Sequence, residues 1–366
     1  MKVLDLFSGC GGLSLGFIQA GLNVSKAVEF DSSIANTYKM NHSSVEMIVD
    51  DISRLVQKNI FKYGEADIII GGPPCQGFSM AGARIREGFI DDPRNYLFKQ
   101  YFNIVKKIKP TVFVMENVKG IMTIQHGEIF NSILKTFSDS ESFGGISYDV
   151  HYKIIKAIDF GVPQKRERMV IIGTLKKDLS LDKIMELTKA EISAQYPHYF
   201  DKVTVRDAIG NLPKVSESGN VRNPRPQTNY QRYLSVESDV LTNHNQTNHS
   251  DIAVSRMSKV ANGDNFTSLD EKINSVHSGS YGRLCWDEPA ATITTRFDTP
   301  AGGRFTHPEE NRTLSPREAA RIQSFPDSFI FYGNRTSVCK QIGNAVPPKV
   351  AYFLARLVKN ILDSEV

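Results

Sequence analysis

No two cysteines of this chain lie close enough to read as a metal or disulfide motif. Cys10, Cys75, Cys285 and Cys339 are far apart, with no CxxC among them. That spacing fits neither a zinc site nor a disulfide framework, and it suits a reducing compartment. Uninterrupted apolar runs of membrane-spanning length are also missing. The N-terminal MKVLDLF enters a strand directly, without the regions of a cleavable signal peptide. A cytoplasmic protein with no membrane contact is the expectation, and no metal is expected. Strong charge of one sign is absent too: a net charge of +4 with a pI near 8.7 permits a nucleic-acid partner without requiring one. At 366 residues the chain can build one large core and a second, smaller domain.

What is present begins with a strand, Lys2–Phe7, a glycine turn, Ser8-Gly9-Cys10-Gly11-Gly12, and a helix, Leu13–Ala20. Strand, glycine loop and helix form the nucleotide-binding entry of a doubly wound α/β sheet. The third glycine of the dinucleotide fingerprint is replaced by Ser14, which favours a cofactor without a pyrophosphate. The next strand, Ser25–Phe30, carries Glu29, placed to take both hydroxyls of a ribose. After a third strand, Glu46–Val49, Asp51 either accepts from an adenine amino group or caps the following helix; both readings stay open.

The stretch Ile68–Ser79, IIIGGPPCQGFS, organises the rest. Three isoleucines run as a buried strand into two glycines, which allow a tight turn, and two prolines, which fix the next φ angles. A stiff loop then holds Cys75 at the carboxyl end of a strand, where α/β proteins bind ligands. A lone cysteine is commonly a small buried hydrophobe, but one following Gly-Gly-Pro-Pro is better placed to be a nucleophile. Met80–Asn95 is a polar loop long enough for a lid, with Arg84 and Arg94 in it. A helix over Tyr96–Lys109 and an apolar strand over Thr111–Met115 follow, and Glu116 then faces the same crevice as Cys75. A helix over Glu128–Phe137 precedes strands at Tyr148–Ala157 and Met169–Gly173. Between those strands Gln164, Arg166 and Arg168 share one face; taken alone they read as a solvated basic edge.

Beyond Leu175 the composition turns to Asn, Ser, Thr and His, and the alternation of strands with long helices is lost. Residues 201–335 hold 16 Lys and Arg against 16 Asp and Glu, so no bulk basic patch exists there. Twelve of those cations are Arg, the side chain suited to bidentate recognition of guanine and phosphate. NHNQTNH, residues 243–249, reads equally as a loop bonded only to itself and water. Thr313–Phe325 is a short capped helix, and the apolar-faced helix Lys349–Ile361 is expected to return to the first domain.

DLFSGCGGLSLGF, VEFD, DDI, GGPPCQGFS, FIDDPRNYLF, ENV, QKRERMVIIG, LSPREAARIQSFP and QIGNAVPPKVA occur in that order. Together they make the chain resemble the bacterial DNA (cytosine-5)-methyltransferases, the modification enzymes of type II restriction–modification systems. The resemblance implies a Rossmann-like S-adenosylmethionine-dependent domain from residues 1–178 and 335–366. A smaller, irregular target-recognition domain would occupy 179–334, including the LSPREAARIQSFP segment. It implies methyl transfer to carbon 5 of a flipped-out cytosine in a short duplex DNA site, with Cys75 adding at carbon 6. Glu116 would hold N3 and the exocyclic amine, and Arg166 and Arg168 would hold O2 and support the Cys75 loop. S-adenosylmethionine would lie among Phe7, Gly9, Gly12, Glu29, Asp51, Ile52, Pro73, Leu97, Asn344 and Val346. Gln76, Ser79, Arg84, Arg94, Gln164 and Thr292 would lie at the DNA. A monomer is expected, and a cognate restriction endonuclease would act on the same site. Two other readings keep much of the pattern: a tRNA cytosine-5 methyltransferase of the same superfamily, and a catalytically silent DNA-binding module.

Overall fold

The computed structural model describes residues 1–74, 96–235, 239–271, 273, 275 and 277–364. Its centre is a seven-stranded sheet: β1 (Lys2–Leu6), β2 (Asn23–Glu29), β3 (Glu46–Val49), β4 (Ile68–Gly71), β5 (Val112–Val118), β6 (Asp149–Lys156) and β7 (Glu167–Thr174). The order is β3-β2-β1-β4-β5-β7-β6, parallel from β3 to β5, with β7 antiparallel to both its neighbours. Wholly buried strands explain the unbroken apolar runs. In β4, Ile68 and Ile70 point into one core and Ile69 into the other, and burying each contributes on the order of 2 kcal/mol.

Helices α1 (Gly12–Gln19), α2 (Ser32–Asn41), α3 (Ile52–Gln57), α4 (Tyr96–Ile108) and α5 (Glu128–Ser138) follow strands of the sheet. A 15-residue helix, α6 (Leu181–Gln195), comes after β7. Shorter pieces then take over: α7 (Val205–Ile209), α8 (Asn229–Leu234), α9 (Asp251–Lys259), α10 (Pro316–Ile322) and a two-residue strand pair, β8 (Val221–Arg222) with β9 (Val240–Leu241). The chain ends with α11 (Arg335–Asn344) and α12 (Pro348–Asp363).

Helix α12 returns to the sheet, as its apolar face requires. Val350, Phe353, Leu354 and Leu357 join Phe17 of α1 and Val112 and Val114 of β5 in one core. Leu181, Ile184 and Ile192 of α6 belong to the same core, so α6 packs with the sheet although it lies beyond residue 178. A third core gathers Ile209, Leu234, Ile293, Phe297, Ala320, Ile322, Phe325 and Ile342, from the irregular segment and α11.

The sheet fixes where a ligand can sit. From β1 the chain turns outward to β2, and from β4 it turns the other way, toward β5. Loops leaving the carboxyl ends of β1 and β4 therefore diverge and open a crevice. The turn after Leu6, Glu29 at the end of β2, Asp51 after β3, Pro73 after β4 and Glu116 in β5 all border it. Strand β5 runs three residues further than its apolar stretch predicts, because β7 supplies partners: Glu116 opposes Val170 and Val118 opposes Arg168.

Candidate active site and cofactor pocket

After β1, Phe7 adopts a φ of 57°, a left-handed conformation that a bulky side chain seldom takes. Gly9 and Gly11 follow at 55° and 95°, and the Gly11 N–H closes the turn on the Ser8 carbonyl at 3.0 Å. Gly12 is required for a different reason: a Cβ there would lie 2.5 Å from the Val346 carbonyl oxygen. The glycine turn and the segment after α11 are pressed together at that point.

Both carboxylate oxygens of Glu29 are fixed by backbone. The Gly9 N–H donates to Oε2 and the Asp31 N–H to Oε1, each at 2.9 Å. Burial raises its pKa, and those two N–H groups oppose the rise. The acid is thereby held rigid at the crevice wall, with lone pairs left for hydroxyl donors. Asp51 caps α3 by accepting from Ser53 N–H at 2.7 Å through Oδ1, and it also borders the crevice. The cap and the ligand readings are compatible.

The crevice is a cavity of about 630 Å³. Phe7, Gly9, Gly12, Glu29, Asp51, Ile52, Pro73, Leu97, Asn344 and Val346 all line it, and so do Glu116 and Arg168. Sequence reasoning missed several neighbours. Asp5, Cys10, Phe30, Ile34, Asn117 and Lys340 also contribute to the wall. Adjacency to Glu29 was a usable signal for Phe30, and membership of the glycine turn for Cys10. Nothing local marks Lys340.

Glu116 and Arg168 form an ion pair, with Nε 2.9 Å from Oε1 and side chains 11% and 19% exposed. Burial raises the Glu116 pKa, against the opposing fields of Arg168 and Arg166. Such a carboxyl can hold a proton in the range where an ordinary glutamate has lost it. Gly72 passes so close that a Cβ on it would lie 3.1 Å from Glu116 Oε2. Buried Asn117 donates from Nδ2 to the Pro73 carbonyl at 3.0 Å. Glu116 and Asn117 thus both abut the chain immediately before Cys75. Cys75 itself, with Gln76, Ser79, Arg84 and Arg94, lies outside the described residues.

Gln164 and Arg166 are not a solvated edge; they are buried, at 0% and 2% exposure. Arg166 donates from Nη1 to the Ile293 carbonyl and from Nη2 to the Gly343 carbonyl, each at 3.1 Å. Burial lowers its pKa to about 9. Gln164 accepts from Ile293 N–H and donates to Gln323 Oε1, both at 2.8 Å, so it turns no free polar atom outward. Half-buried Thr292 donates to the Lys165 carbonyl at 2.9 Å. Arg168 is the member of the trio that reaches the cavity.

The 243–249 segment does not bond only to itself. Asn243 pairs with the Phe331 backbone through both amide ends. His244 bridges Ser315 Oγ and the Pro213 carbonyl, and His249 meets Thr313. The expected helix over 313–325 is shorter, α10 over Pro316–Ile322, and arginines in and beside it are internal ties: Arg312 binds Glu318, and Arg321 binds Asp327 with both side chains fully buried. Among the described residues no group of three or more His, Cys, Asp or Glu is arranged to hold a metal ion, and no helix is long and apolar enough to cross a membrane.

Comparison with known proteins places this geometry in context. Residues 1–360 match the model of the family described as C-5 cytosine-specific DNA methylase. The type II methyltransferase M1.HphI of Haemophilus parahaemolyticus is 36% identical over 370 residues, covering 100% of this chain and 88% of that protein. M.NgoPII of Neisseria gonorrhoeae is 34% identical, covering 99% and 96%. Among solved structures, a protein described as a DNA modification methyltransferase encoded within an E. coli prophage superposes with a TM-score of 0.77 at 30% identity, each chain covered fully. The Dnmt2 methyltransferase of S. pombe shares the fold, with a TM-score of 0.62 at 17% identity over the whole of both chains.

Proposed function

The chain belongs to the C-5 cytosine-specific DNA methylase family, and on that premise we propose how its residues methylate carbon 5 of cytosine in DNA. The observation that carries the reading is the Glu116–Arg168 pair, set in the cavity wall beside the chain that leads to Cys75.

Carbon 5 of cytosine is a poor nucleophile because the ring is electron-poor. Addition of the Cys75 thiolate at carbon 6 turns the ring into an enamine whose carbon 5 can attack an electrophile. Glu116 is the acid for that step. It donates to N3 as charge develops, and its raised pKa keeps the proton available. Arg168, anchored by Glu116, directs its remaining donors to the base O2. Arg166 supports both by fixing Ile293 and Gly343. After transfer, an ordered water removes the carbon 5 proton, and elimination frees Cys75. Since a thiol cannot reach a stacked base, the cytosine is flipped out of the duplex.

The cavity fits S-adenosylmethionine, which supplies a methyl group on a sulfonium. Glu29 would take the ribose hydroxyls and Asp51 the adenine amine. Phe7 and the glycine turn would border the remainder, with Ile52, Pro73, Leu97, Asn344 and Val346. The missing third glycine at Ser14 agrees with a cofactor that has no pyrophosphate. Target recognition falls to the irregular part of 179–334, beyond α6, with Thr292 at the base and Gln76, Ser79, Arg84 and Arg94 at the DNA backbone. The enzyme acts as a monomer in the cytoplasm and protects its site from a cognate restriction endonuclease.

The test is methyl transfer from labelled S-adenosylmethionine to unmodified duplex DNA and to tRNA, side by side, with bisulfite sequencing of the product. Label on cytosines of one short duplex motif is expected. Label on tRNA alone would overturn the substrate, and retained turnover by Cys75→Ser would overturn the covalent mechanism.

A further inference from the structure

Two segments that serve different ends of the proposed reaction are joined by three buried side chains. Ile293 adjoins Thr292, on the base side. Ile342 and Gly343 lie in the last turn of α11, directly before Asn344 and Val346 in the cavity wall. Gln164 accepts from Ile293 N–H and donates to Gln323 at 2.8 Å, and Gln323 donates onward to the Ile342 carbonyl at 2.7 Å. In parallel, Arg166 spans the Ile293 and Gly343 carbonyls. The two backbones also touch: a Cβ on Gly343 would lie 2.4 Å from the Thr294 carbonyl carbon.

Both polar backbone groups of Ile293 are therefore held by side chains. Consecutive carbonyls at the end of α11 are held by the same set, that of Gly343 by Arg166 and that of Ile342 by Gln323 beside the Ala345 N–H, which lies at 3.3 Å. Gln164, Gln323, Ile293 and Ile342 are all 0% exposed. Water cannot replace a broken link there, and each unpaired group would carry its full desolvation cost. A shift of 342–346 on filling the cavity must then move Gln323 and Arg166, and through them Ile293.

We propose that Gln164, Gln323 and Arg166 are positioning residues that couple cofactor binding to the seating of the target base, so that each ligand raises the other's affinity. This rests on the cofactor and base assignments made above. Gln164, expected at the DNA, acts in this arrangement from inside the protein.

The experiment measures S-adenosylhomocysteine affinity of the full-length protein, alone and with a duplex carrying the site found by bisulfite sequencing. Wild type should bind it 5–150-fold more tightly with duplex than without, the usual range of such coupling. Gln164→Met and Gln323→Met, near in volume and without the links, should bring that ratio toward one while affinity without duplex stays within about twofold. The double variant should add nothing to either single, as members of one relay are non-additive. Thermal melting establishes that each variant is folded, and Gln323→Ala serves if a Met variant is not. An undiminished ratio in folded variants, or a wild-type ratio of one, overturns the coupling. Loss of affinity without duplex, at an unchanged ratio, would mark the relay as purely structural and overturn it too. A wild type that does not bind S-adenosylhomocysteine at all would overturn the cofactor assignment itself.

Discussion

Replacing Asp5 by Asn should stabilise the ligand-free protein, and by an amount that depends on pH. Asp5 lies in the middle of β1, 1% exposed. Its Oδ2 accepts from Ser14 Oγ at 2.6 Å, and Ser14 in turn meets Tyr38 at 2.7 Å. Among the described residues Oδ1 has no hydrogen-bond partner. Burial, opposed by the Ser14 bond and reinforced by Glu29, raises the carboxyl from 3.8 to about 7. The folded state thus keeps a proton that the unfolded state releases near 3.8. Wherever the folded state binds more protons, stability falls as pH rises. The fall begins near the unfolded value and is complete above about 7, and its total is on the order of 4 kcal/mol. Asn retains an oxygen for Ser14 and never ionises, so it escapes the penalty. Urea unfolding at a series of pH values should give nearly equal midpoints near pH 4, then a widening advantage for Asp5→Asn up to about pH 8, at constant m. Parallel curves for the two proteins would refute the reasoning.

Glu116→Gln should lower turnover by two or more orders of magnitude with the fold retained, since it removes the proton donor and keeps the shape; a near-wild-type rate would remove Glu116 from its role. Gly16→Ala should destabilise despite the helix propensity of Ala, because the new Cβ would lie 2.3 Å from the Tyr352 backbone nitrogen. A loss of about 1–3 kcal/mol by denaturant titration is expected, and a stabilised variant would mean that α1 and α12 separate easily. Asn117→Ala frees the Pro73 carbonyl and should depress kcat more than either KM, with Asn117→Ser a partial rescue. A rise confined to the KM for DNA would place Asn117 in binding instead.

Much of the cavity wall was legible because its chemistry is local. Gly9, Gly12, Glu29 and Pro73 sit within motifs whose spacing dictates turn, approach and charge, so their positions follow from short-range rules. Glu116 was legible for a related reason, as an acid at the end of an apolar strand. Arg166 and Arg168 show where such reasoning stops. Alternation assigns them one face, yet β7 begins only at Glu167. Arg166 instead turns inward to meet Ile293 and Gly343, 127 and 177 residues away in the chain. Partners at that distance leave no periodic trace. Helix α6 was obscured differently: the loss of strand–helix alternation after Leu175 hid one more helix whose Leu181, Ile184 and Ile192 complete the sheet core. The polar segment at 243–249 resembled solvated loop because its partners, Pro213, Thr313, Ser315 and Phe331, lie elsewhere in the chain.

The contact between Gly12 and Val346 also has a temporal meaning. A ribosome makes the glycine turn more than three hundred residues before the segment that closes over it. From Glu116 onward, and until that segment emerges, the nascent chain holds Cys75 and Glu116 without the part of the cavity wall that Asn344 and Val346 provide. A translation product cut short before that segment therefore carries both residues but an unfinished cavity.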